Sequence, residues 1–133
     1  MKNMTEYNGW IIVRESDKEE GEDQKLLYEV VEKINEKIQS IQTINDRFIM
    51  ENLNGEFHLA IMASHNHYTP YISDLFKWIA SISKGSYGLL YLHDDESLDS
   101  SRREGYEVLR MCGGQVDSHE DPFLSPRFPT LEE

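Results

Sequence analysis

Two stretches of helical period, each bracketed by residues of strand period, restrict the fold of this chain more than any other feature. In the first, Leu26, Leu27, Val30, Val31, Ile34, Ile38 and Ile41 fall on one stripe, which predicts a helix from about Gln24 to Ser40. Its opposite face carries Glu29, Glu32, Lys33, Glu36 and Lys37. The second helix is expected to start near Thr69, with Thr69 as N-cap and Pro70 pre-set for the first helical position. Ile72, Leu75, Phe76 and Ile79 form its buried stripe, and Gly85 suits its C-terminal cap.

Between the helices, FIMENL and EFHLAIMAS meet at Asn54-Gly55, a pair that readily takes the positive φ angles of a type I′ hairpin turn. GWIIVR (Gly9–Arg14) precedes the first helix and YGLLYLH (Tyr87–His93) follows the second, both rich in strand-forming residues. A terminal hairpin pairs Tyr106–Met111 with Gln115–Asp117 across Gly113-Gly114. The order is β-α-β-β-α-β plus a C-terminal hairpin. It predicts an α+β fold in which an antiparallel sheet is covered on one face by two helices, in a ferredoxin-like arrangement.

The spatial strand order expected for such a fold is 4-1-3-2. It would bring Trp10, the residues Ser64–His67 and the residues His93–Asp95 to one end of the sheet. The run ESDKEEGED, Glu15–Asp23, would lie at the other end, with its last carboxylates at the first helix's N-terminus. At 133 residues the chain is expected to be a single domain. Residues 122–133 should form an irregular tail, because three prolines fall within eight residues there. Phe123, Leu124 and Phe128 suggest that this tail packs on the domain.

Charge narrows the function classes. Thirteen basic against twenty-five acidic residues give a net charge of −12. Phosphate-backbone binding needs clustered Lys and Arg, so direct nucleic-acid binding is not expected, and anionic membrane surfaces are disfavoured likewise. The apolar runs are too short to span a bilayer, and no secretory leader pattern opens the chain. Cys112 is the single cysteine, which fits a reducing cytoplasm. Such a field favours fast encounter with a basic partner, although acidity also serves solubility alone.

Several segments carry a resemblance: GWIIVRES, NGE at the hairpin, SHNH before the second helix, KWIASISKGSYGLLYLHDDES, VLRMCGG and DPFLSPRFPTLEE. In this order, over nearly the whole chain, they resemble the immunity-protein family numbered seven of bacterial polymorphic toxin systems. Arg127 is a departure from that pattern, in which a smaller residue is usual, and no functional weight is attached to it. The resemblance implies a cytoplasmic antidote, encoded beside a secreted toxin, that binds and neutralises the toxin's C-terminal effector domain. It implies no catalytic residue, metal or cofactor, and it supplies no set of contact residues.

The candidate contacts therefore rest on chemistry and on the expected topology. Trp10, His65, Asn66, His67, His93, Asp94 and Asp95 are the proposed toxin-binding set. Glu15, Asp17, Glu19, Glu20, Glu22 and Asp23 are the proposed steering set. Each has a plainer alternative: His65 and His67 as caps of the following turn and helix, Asp94–Glu96 as a solvated loop, Trp78 as core. His65 and His67, one residue apart on an extended segment, point to one side. A metal-dependent hydrolase using His65, His67, His93 and Asp94 is the first rival. Nothing supplies a nucleophile or a phosphate-binding glycine loop at recognisable spacing. A cytoplasmic regulatory binding module is the second rival. If the toxin is a nuclease, its basic substrate surface is what an acidic protein would occupy.

Overall fold

The computed structural model describes residues 4–18 and 23–128. Six strands, β1 (Thr5–Val13), β2 (Asp46–Leu53), β3 (Glu56–His65), β4 (Tyr87–Asp94), β5 (Glu107–Cys112) and β6 (Gln115–Glu120), form one antiparallel sheet in the order β2-β3-β1-β4-β5-β6. The expected run of fourth, first, third and second strands is contained in it, with the terminal hairpin extending the β4 edge. The helices are α1 (Gln24–Ile41), α2 (Tyr71–Ile82) and a short α3 (Ser100–Glu104).

The core lies between α1, α2 and one face of the sheet. Leu27, Val30, Val31, Ile34 and Ile38 of α1 and Ile72, Leu75, Phe76 and Ile79 of α2 are buried there. They meet Tyr7, Ile11 and Val13 of β1, Leu59 and Ile61 of β3, and Leu90 and Leu92 of β4. Successive strand residues point to opposite faces, so the intervening side chains Glu6, Asn8, Trp10 and Ile12 lie on the other side, away from α1 and α2. Burial of one stripe per helix and one face per strand is what turns the periodicity of the chain into this layer structure.

Turns follow the residues that demand them. Asn54 and Gly55 have φ of 55° and 86°, as a type I′ hairpin requires, and Gly113 and Gly114 turn the second hairpin the same way with φ of 60° and 78°. The Asp23 carboxylate caps α1 by accepting from the Leu26 amide at 3.1 Å.

Four expectations need correction. The first strand begins at Thr5 rather than Gly9, because Glu6 and Asn8 alternate with the inward Thr5 and Tyr7, and polar residues are tolerated on an uncovered face. Thr69 is not the cap of α2: Pro70 holds that position without a side-chain bond, and the Thr69 hydroxyl is buried without a partner. Gly85 does not take the left-handed cap conformation. Its need is space, since a Cβ there would stand 1.8 Å from the Ser16 carbonyl oxygen. The tail is tied down chiefly by polar groups, while Phe123 and Phe128 remain 82% and 75% exposed.

Candidate functional site

Thr5 of β1 pairs with His65 of β3 and with Asp94 of β4, so these residues do share one end of the sheet. Trp10 does not belong there. It sits mid-strand between Ala60 and Leu89, because β1 starts earlier than its apolar run suggests. The acidic Glu15–Asp23 segment leaves the far end of β1. Within it Glu15 accepts from the Asp23 amide at 2.7 Å and Asp17 is exposed, while Glu19, Glu20 and Glu22 lie outside the described residues.

Most of the expected contact residues at the Thr5 end are engaged inside the protein. His65 Nε2 lies 2.7 Å from Asp46 Oδ1 and 2.9 Å from the Tyr71 hydroxyl. Asp46 is wholly buried and also accepts from Tyr71 OH at 2.5 Å and from the amide and hydroxyl of Thr43. Burial opposes ionisation of that carboxyl, but the bonds from Tyr71, Thr43 and His65 outweigh it and hold Asp46 below the usual carboxylate value. The same burial, with the bond to Asp46, pushes the Tyr71 phenol up to about 12.

His93 is fully buried on the uncovered side. Its Nδ1 lies 2.8 Å from the Gly105 carbonyl oxygen and its Nε2 2.5 Å from Asp95 Oδ1, so neither ring nitrogen is left for a metal or substrate. Asp94 points to the opposite face and accepts from Thr5 Oγ1 at 3.3 Å and the Glu96 amide at 3.0 Å. The four ligands of the hydrolase rival thus diverge, with His67 pairing instead with Glu96 at 2.7 Å. No three potential ligands gather into a metal-binding group among the described residues. Asn66 and His67 are exposed; Asp95 is partly so.

Arg127, with no role expected from the sequence, organises this end. Its guanidinium donates to Glu6 at 3.1 Å, stands 3.7 Å from Asp95 and covers the Phe128 ring at 4.7 Å. Its amide donates to the Glu104 carbonyl, and Ser125 Oγ accepts from the Tyr106 amide, so residues 121–128 cross this end of the sheet from β6 to β1. Burial, with the Glu6 charge nearby, raises the Tyr106 phenol above its ordinary value. A lone Arg in a proline-rich tail gave no signal of this; pairing over more than a hundred residues of sequence has no local pattern.

The uncovered face is the other feature. Cross-strand registers place Ile49, Ala60, Trp10 and Leu89 in one row, with Met62 and Tyr91 in the next and Tyr87 beside Ile12. Trp10 is 43% exposed and packs edge-on against Tyr87, and Ile49, Met62 and Tyr87 are comparably open. A cavity of about 230 Å³ opens on this face between Leu89, Tyr91, Val108 and Phe123 of the tail. A second, of about 310 Å³, lies by Glu6, Asn8, Met62 and Ser64.

No helix among the described residues is long and apolar enough to cross a membrane. The family model described as Immunity protein 7 matches residues 4–133. No curated protein and no solved structure matches the chain.

Proposed function

Because this chain belongs to the Immunity protein 7 family, we propose that it neutralises a bacterial toxin of a polymorphic toxin system by binding the toxin's effector domain stoichiometrically, in the cytoplasm of the producing cell. The observation that carries this reading, beside the family, is how the chemical side chains are used. His65, His93 and Asp94 are committed to hydrogen bonds within the fold, whereas the open face of the sheet exposes the large apolar side chains Trp10, Ile49, Met62 and Tyr87 and the chain as a whole is acidic. That suits an inhibitor that works by contact rather than by chemistry. The partner is a basic domain, drawn by the −12 charge, and a nuclease with a cationic substrate groove fits that description. The exposed Asn66 and His67 at the Thr5 end contribute polar contacts, with Asp95 holding His93 and Arg127 behind them, and the Glu15–Asp23 run steers the approach.

Co-expression supplies the test. The protein should rescue cells producing the toxin domain encoded by the adjacent gene and should fail against unrelated toxin domains, since specificity is a difference of affinities. Absence of rescue, with both polypeptides soluble and expressed, refutes the reading. Stoichiometric zinc together with chelator-sensitive hydrolysis would refute it in favour of the hydrolase.

A further inference from the structure

An antiparallel sheet packed on one side ordinarily turns polar residues to water on the other. Here the water-facing side carries, among polar residues such as Arg47, Glu51, Asn8, Arg110 and Asp117, a contiguous cluster of Trp10, Ile49, Met62, Tyr87 and the partly exposed Leu89, and Phe123 extends it across the cavity beside Leu89. Large apolar side chains gathered on one exposed surface mark an interaction site. We propose that this open face, centred on Trp10, is the surface on which the basic toxin domain docks. The assignment rests on the immunity reading above and adds where the partner sits.

Size and charge both fit that occupant. Six strands spaced about 4.8 Å apart, with lengths near 25 Å, give a face of about 700 Å², close to the ~800 Å² each partner contributes to a stable complex. A second copy of the chain would bring two bodies of −12 together, whereas a basic domain is drawn by that charge and meets the exposed Glu51 on this face, where Arg47 donates to the Ile44 and Asp46 carbonyls and Arg110 pairs with Asp117. The Trp10 ring in the middle of the sheet, flanked by Tyr87, has the position of a binding hot spot. The cavity beside Leu89 and Phe123 is large enough to take an apolar side chain of the partner.

The experiment measures affinity for the toxin domain encoded by the adjacent gene. Wild-type chain is compared with Trp10→Ala, Ile49→Glu and a control, Glu32→Gln, on the outer face of α1, all checked for matched melting curves. Trp10→Ala should weaken binding by about 30-fold or more, Ile49→Glu by about 10-fold, and the control should not change it. Methyl resonances of Ile49, Met62 and Leu89 in the wild-type protein, followed as the toxin domain is added, give a readout that needs no variant. They should shift while the exposed Leu26 methyls of α1 stay put. Unchanged affinity of both face variants, or shifts confined to α1, overturns the assignment while leaving the immunity reading intact. So does a wild-type homodimer that Trp10→Ala dissociates, since the face would then belong to a second copy. If the wild-type chain neither binds nor rescues, the immunity reading itself has failed and the assignment falls with it.

Discussion

A buried carboxylate survives only if hydrogen bonds replace its water, and Asp46 shows how completely one residue can be provided for. It takes bonds from Tyr71, His65 and both donors of Thr43, which join the α1–β2 turn, the end of β3 and the start of α2. Tyr71→Phe removes one donor to the charge. The variant should lose about 1.5–3 kcal/mol at pH 7, read by urea unfolding. The sign of its pH dependence follows from the lowered Asp46 value. The native state favours the ionised form, so this stabilisation is present above the unfolded carboxylate value of 3.8 and disappears as pH falls through the lower folded one. The gap between wild type and variant should therefore narrow in acid; a gap that stays constant down to pH 2 would show that Tyr71 does not serve the charge. None of this was legible in the sequence. His65 stood out beside His67, but its partner lies nineteen positions back, just ahead of the segment FIMENL that reads as a strand.

At the scale of elements, legibility tracked how local the cause was. The α1 stripe from Leu27 to Ile38, the Asn54-Gly55 and Gly113-Gly114 turns and an acidic residue at the start of α1 are dictated by neighbours within a few residues and lie where the pattern put them, whereas Leu26, counted in the stripe, is exposed. The first residues of β1, the five-residue α3 and the course of the tail depend on distant partners and were missed. Trp10 was singled out as a contact, yet its place followed from the true start of β1, which moved it from the end of the sheet to its middle. The tail offers a direct check. Arg127→Ala breaks the links to Glu6 and Asp95, so residues 121–128 should detach and become open to limited proteolysis. The helices and sheet should keep their far-ultraviolet circular dichroism, with a stability cost of about 1–3 kcal/mol. Unaltered protease resistance would mean that the backbone bonds at Glu104 and Tyr106 hold the tail unaided.

Over the whole molecule, the charge surplus acts at a range that no single contact has. Replacing Asp17, Glu19, Glu20 and Glu22 together by their amides should slow association with the toxin domain several-fold at low salt and leave dissociation unchanged. The difference should fade near 0.15 M ionic strength, where charges are screened beyond about 8 Å. A faster dissociation in stopped-flow traces would instead place these carboxylates in the interface. Asp94 and Asp95 do not belong in such a series, because both carry internal bonds, and their reversal would report on folding.

Coverage of only one side of the sheet has a consequence over evolutionary time. The side chains that hold the fold together and those left open to the outside alternate along the same strands. Tyr7, Ile11 and Leu90 answer to the helices, while Trp10, Met62 and Leu89 answer to whatever arrives from outside. Substitutions at the open positions, Trp10, Met62 and Leu89 among them, can therefore accumulate without asking the core to follow, whereas Ile12, His93 and Val108 on the same side are buried and held. Relatives that meet different partners would drift apart at those open positions and stay alike on the side the helices cover.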